Sequence, residues 1–225
     1  MILYSHQGHG NHNNIINGGV SMLVAKQKFS TKSMTKISLL SVIAFVVMLI
    51  EIPLGIFPEF LKIDLSDIPA LVGAFAMGPI AGVIIELIKN ILHAFVKLAE
   101  TGGVGQLANF IVGSIFVFTA GAIYAKRKTF KMAVLGLIAG TVSMALFAAV
   151  FNYLVFIPLY AKYYGLPLEQ YIDMAVGMAQ KANKLVVDYK TLIFISIVPF
   201  NLFKGIVVSA VTLPLYKKIS PFLHK

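Results

Sequence analysis

Four polar side chains, Glu86, Lys89, Asn90 and His93, stand at i, i+3, i+4 and i+7 in the apolar run IAGVIIELIKNILH. That spacing puts all four on one face of a helix. Further along, Asn109, Asn152, Asn201 and Lys204 each interrupt an apolar stretch, and Asn201 and Lys204 share a helical face. Charged and amide groups inside apolar helices are costly in lipid, so they face a bundle interior or a wet cavity. Amides donate and accept hydrogen bonds, and a lysine donates. Together they are expected to help line a site for a small polar-aromatic molecule. For Lys204 two readings stand: a donor to ligand oxygens, or an ion pair with Glu86 or Glu51 that holds helices together. Asn152 stands between ligand contact and interhelical hydrogen bonding, and His93 between an interface residue and a ligand contact.

The same inventory argues against catalysis. The span serines Ser38, Ser41, Ser114, Ser143, Ser196 and Ser209 have only His93 as a possible base, and neither GxSxG nor HExxH occurs. There is no cysteine, hence no thiol nucleophile and no Cys-based metal site. No GxxxxGK[ST] loop is present to hold ATP. His6, His9 and His12 have no carboxylate or cysteine nearby to complete a ligand set. Residues 1–33 are expected to be a disordered polar tail, a leader or start-site extension with Met22 as the working start. They do not read as a cleavable signal peptide, because the apolar run lies too far in. No catalytic group, metal or cofactor is expected; any ligand is cargo.

The elements that position these residues follow from composition. The chain of 225 residues is 58% hydrophobic and 12% charged, against about 25% charged for a soluble domain. The expected fold is all-α: a polytopic membrane protein with six transmembrane helices in residues 34–220. The spans fall near 37–57, 67–77, 80–98, 106–125, 132–158 and 191–216. The second is too short to cross a hydrocarbon core of roughly 30 Å upright. Either it tilts, or irregular backbone buried in protein completes it. A polar, partly amphipathic segment, 162–190, separates the last two spans, and Pro199 permits a kink in the sixth.

Charge sets the expected topology. With both termini cytoplasmic, the inner segments hold eleven basic residues, among them Lys126, Arg127, Lys128 and Lys131, and no acidic one. The outer segments mix both signs, so the positive-inside rule favours N-in, C-in. The formal charge of +10 then reports topology and anionic lipid, and no nucleic-acid partner is expected. In this arrangement the intramembrane polar groups gather in the outer half, over a floor at Lys204. Phe151, Tyr153, Phe156, Tyr160, Tyr163 and Tyr164 form either an interfacial belt or faces for a flat ring.

The segments KIDLSDIPALVGAFAMGPIAGVIIELIKNILH (62–93), GQLANFIVG (105–113), FNYLVFIPLY (151–160) and PFNLFKG (199–205) resemble the riboflavin-binding S component of energy-coupling factor (ECF) transporters. The resemblance spans residues 34–220. It implies a six-helix protein of a prokaryotic cell membrane that captures riboflavin from outside. It also implies a membrane coupling (T) subunit and two ATP-binding-cassette ATPases as partners. Asn152 and Lys204 correspond to the family's flavin contacts. The Ala-x-x-x-Ala docking pattern of the first helix is represented only by Ser41-x-x-Ala44 and nearby small residues. The loop 54–66 is expected to close over the pocket. The competing reading is a self-sufficient secondary transporter with a coupling-ion site at Glu86 and Lys89.

Overall fold

The computed structural model describes residues 30–223, with backbone alone for 217 and 219–223. The histidine tract and residues 1–29 lie outside the described residues. Helix α1, Thr31–Met48, is capped by Ser30, whose Oγ accepts the Ser33 amide at 3.2 Å. The membrane fold therefore begins before residue 34. Ile37, Ser41, Ala44 and Met48 form the buried face of α1. Ser41 and Ala44 are fully covered inside the bundle, so they cannot form an outward docking face. The exposed side of α1 is instead Leu39, Val42, Ile43 and Val46.

The first span was expected to run to Phe57, but α1 stops at Met48. Pro53 pushes Ile52 out of the helical region. Ile52–Pro53 (β1) pairs antiparallel with Lys62–Ile63 (β2), in the register Ile52↔Ile63 and Pro53↔Lys62. The chain then dives into the bundle as irregular backbone, with Ile63, Asp64 and Ser66 buried. Helix α2, Asp67–Met77, starts there. Its 11 residues span about 16 Å at 1.5 Å per residue, roughly half of a hydrocarbon core of about 30 Å. Of the two expectations for this short span, buried irregular backbone is the one observed. Gly78 ends α2 at φ 101°, a conformation that suits glycine, and Pro79 opens α3, Pro79–Thr101.

Gly102 and Gly103, at φ 58° and 84°, turn the chain into α4, Val104–Lys126. Helix α5 is continuous over Phe130–Tyr163. Its turn at Asn152–Phe156 is π-helical, as is Leu192–Ile197 within the last span, α7, Tyr189–Tyr216. Each wide turn lies just before a proline, Pro158 or Pro199. A proline lacks the N–H that an α-turn would require, and widening the preceding turn accommodates that loss. The amphipathic helix α6, Leu168–Ala182, buries Ala175, Val176 and Ala179 against Ile157, Leu192 and Ile193 of α5 and α7.

Among the described residues, five helices are thus long and apolar enough to cross a membrane, and α2 is a shorter apolar sixth. The core is continuous where α2 sits: Leu71, Phe75, Ile85, Phe116, Tyr124 and Leu137 belong to one cluster. The small residues let backbones approach there. A Cβ on Gly136 would lie 2.7 Å from the Ala120 carbonyl, and one on Gly140 2.8 Å from that of Phe116. At the start of α2, where Asp64 and Asp67 stand, the bundle is hollow.

Candidate functional site

The hollow is a cavity of about 730 Å³, within the roughly 300–1,000 Å³ usual for small-molecule sites. Four of the seven expected site residues line it: Asn109 from α4, Asn152 from α5, and Asn201 and Lys204 from α7. The wide turns help place two of them. Asn152 opens the π-turn of α5, and its amide donates to the Ala148 carbonyl at 2.8 Å. Asn201, just past the other, donates to Ile197 at 2.9 Å. With Nδ2 engaged on its own helix, each amide keeps an oxygen for other partners.

Glu86, Lys89 and Asn90 are not in the cavity wall. They share the buried face of α3 with His93, but only His93 reaches the lining. Asn90 supports the wall from behind, donating to Asn109 Oδ1 at 3.3 Å and to the Glu86 carbonyl at 2.9 Å. Lys89 Nζ is fully enclosed by Ser66 Oγ at 2.8 Å, Asp67 Oδ1 at 2.5 Å and Glu86 Oε1 at 2.9 Å. Gly113 makes room for this carboxylate, since a Cβ there would stand 2.6 Å from Glu86 Oε2.

Lys204 does pair with carboxylates, but with neither Glu86 nor Glu51. Its Nζ meets Asp64 Oδ2 at 2.9 Å and Asp67 Oδ2 at 3.3 Å. Lys204 sits midway along α7, and α2 begins at the same depth, so the charges that open α2 are the ones within reach. Burial alone would raise the Asp64 carboxyl. The Lys204 and Lys89 ammoniums and the hydrogen bond from Ser66 prevail and hold it well below the usual carboxylate range. The floor of the cavity is therefore Asp64, Asp67 and Lys204 together.

Nearer the open end, Glu51 accepts Lys97 at 2.6 Å and Lys62 at 3.4 Å, and faces His93 Nε2 at 3.6 Å. This ties the β1–β2 hairpin to α3. Three rim tyrosines, Tyr160, Tyr164 and Tyr171, line the cavity. Tyr171 of α6 lies nearly parallel to both of the others, at 6.1 and 5.9 Å between centroids. Burial, reinforced by Tyr164, pushes the Tyr171 phenol up to about 12, so it stays a neutral donor. Tyr160 and Tyr164 therefore do more than anchor the chain at an interface.

Asp64 and Asp67 are the residues that sequence reasoning left out of the site. The available signal was position: a Ser-Asp pair opening an apolar run marks a helix start, and here the run is half a span long. Chemically, the cavity offers an apolar and aromatic interior, four amides (Gln106, Asn109, Asn152 and Asn201), and at its floor an ammonium held between two carboxylates. No group of three or more His, Asp or Glu side chains able to hold a metal occurs among the described residues.

The profile "ECF transporter, substrate-specific component" matches residues 32–216. "Riboflavin transporter RibU" of Staphylococcus aureus is 38% identical over 194 residues, 86% of this chain and 93% of that protein. "Riboflavin transporter FmnP" of Bacillus subtilis is 33% identical over 195 residues, 86% of this chain and 95% of that one. A solved structure described as "Structure and mechanism of the S component of a bacterial ECF transporter" is 36% identical. It aligns with a TM-score of 0.67, covering 86% of this chain and 98% of its own. These proteins are transporters, not enzymes, and come from bacteria. The chain, with its apolar helices and the hollow they enclose, is accordingly a multi-pass prokaryotic membrane protein that belongs to the family of ECF-transporter substrate-specific components.

Proposed function

We propose that this chain captures riboflavin in the cavity floored by Asp64, Asp67 and Lys204. The observation that carries this reading is that Asn152 and Lys204, on different helices and far apart in sequence, line one hollow. Riboflavin combines an apolar tricyclic ring, a uracil-like edge and a hydroxylated chain. The apolar wall suits the ring. Asn152, Asn109 and Asn201 offer paired donors and acceptors to the edge and the hydroxyls. Lys204 donates to a flavin oxygen while its charge stays balanced by the two aspartates. A neutral ligand needs no further cation, which agrees with a floor already paired. The names of the Staphylococcus and Bacillus relatives support the same cargo.

The cavity faces the outside of the cytoplasmic membrane in this reading. The basic turn Lys126, Arg127, Lys128 and Lys131 lies at the other end of the helices, and the positive-inside rule puts that end in the cytoplasm. The chain carries no ATP-binding loop, so accumulation against a gradient requires a coupling subunit and two ATPases, as in ECF modules. The test is titration of the purified chain in detergent with riboflavin, read by quenching of the flavin's own fluorescence. Saturable one-to-one quenching is expected; its absence rejects the reading. The chain reconstituted alone in vesicles should bind riboflavin without accumulating it, and uphill uptake by the chain alone would overturn the dependence on partners.

A further inference from the structure

Lys89 and Glu86 are fully buried, lie outside the cavity, and have no part in the contacts proposed above. Their connections nevertheless lead to the cavity. Asp67 gives Oδ1 to Lys89 at 2.5 Å and Oδ2 to Lys204 at 3.3 Å. Asp64 Oδ1 accepts from the Ser66 hydroxyl, the same oxygen that accepts Lys89 at 2.8 Å. The other Asp64 oxygen takes Lys204 at 2.9 Å. Each aspartate is thus held from behind through Lys89 and presents its free oxygen to Lys204. Lys89 itself is held by Glu86 at 2.9 Å, one helical turn back.

We infer that Lys89 is a positioning residue for flavin binding: it fixes Asp64 and Asp67, and through them the Lys204 ammonium, without touching the cargo. This rests on the riboflavin reading. A lysine side chain has several rotatable bonds, and a donor that must meet one ligand oxygen gains affinity when it is held in place beforehand. The network supplies that hold, with Lys89 and Asp67 themselves fully covered. Ser66 is the relay on one arm and Asp67 on the other.

The test is a set of binding titrations with riboflavin on the full chain. Lys89→Met with Glu86→Gln removes both ends of the Lys89–Glu86 contact, so neither is left facing a lost partner. Ser66→Ala changes no charge and cuts only one arm, so it carries the test if the paired variant does not fold. Affinity should fall about tenfold or more in the pair and several-fold in Ser66→Ala, with the flavin still bound one-to-one. The decisive readout is the cycle with Lys204→Met. If Lys89 acts through Lys204, Ser66→Ala costs no further affinity once Lys204 is gone, whereas a general structural defect would add its full loss. Wild-type affinity in Ser66→Ala and in any folded Lys89 pair, or fully additive losses in the cycle, overturns the inference alone. Failure of the unaltered chain to bind riboflavin overturns the function reading beneath it.

Discussion

Replacing Lys204 with methionine separates its two roles, helix-holding ion pair and ligand donor. The substitution keeps most of the side-chain length and removes the ammonium that Asp64 and Asp67 face at 2.9 and 3.3 Å. Lys204 is 7% exposed and Asp64 5%, so water reaches the lost partner's place only through the cavity. Asp64, Asp67 and Glu86 are then left around Lys89. Removing one member of a buried ion pair costs about 3–5 kcal/mol. At about 2–4 °C per kcal/mol for a chain of this size, the thermal transition should drop by roughly 10 °C. Adding Asp64→Asn removes the carboxylate that has lost its lysine partner and should restore more than half of that loss. Riboflavin affinity should stay low in both variants, because the donor is absent from each. Far-UV circular dichroism on heating gives stability, and flavin fluorescence gives binding; the chain has no tryptophan to complicate the latter. The reasoning is refuted if Lys204→Met melts like the unaltered chain, or if Asp64→Asn lowers the transition further when added to it.

Other consequences follow from the same geometry. Gly113→Ala drives a methyl to 2.6 Å from Glu86 Oε2 and should destabilise by about 1–3 kcal/mol, seen as a lower transition temperature that Glu86→Ala partly rescues. Asn152→Leu should weaken riboflavin by about 1–3 kcal/mol through unpaired ligand atoms, and an unchanged titration would remove Asn152 from the site. The pH dependence has a definite sign. A carboxyl lowered in the folded state contributes stability that is complete above its unfolded value of about 3.9 and is lost as pH falls through the folded one. The Asp64 contribution should therefore hold from neutrality to about pH 5 and fade only in stronger acid; a loss centred near neutrality that Asp64→Asn abolishes would contradict this.

The sequence made the spans and four of the cavity's polar groups legible because both are depth statements. An apolar run has a countable length, and Asn109, Asn152, Asn201 and Lys204 stand at countable depths within their runs. Which face a helix turns to the cavity is a different matter. Glu86, Lys89 and Asn90 have the same period as His93, yet only His93 reaches the hollow: Ser66 and Asp67 at the start of α2 engage Lys89, and Asn109 of α4 stands in front of Asn90. The end of α1 was misjudged for a related reason: VVMLIEIPLGIF reads as apolar helix, and only the Ile52–Ile63 pairing, which is non-local, makes it a hairpin. The partners of Lys204 were missed because Asp64 and Asp67 read as loop charges until their depth was known.

The hollow and the charges beneath it have one origin, the shortness of α2. A helix that starts in mid-bundle leaves its first N–H groups without helical partners and turns its positive dipole end toward the cavity floor. Carboxylates answer both needs: Asp67 stands in the first turn, and Asp64 Oδ1 accepts the Ser66 amide at 2.9 Å. Two buried carboxylates in turn require cations, and the neighbouring helices α3 and α7 supply one each, Lys89 and Lys204. Lys89 is sealed by α3 and the loop. Lys204 comes from the side that the missing half of α2 leaves open, so it faces the cavity. On this argument the lysine proposed to meet the flavin is present because a half-length helix needs its start neutralised. Lengthening α2 toward the rim would at once fill the cavity and remove the reason for the charge at its floor.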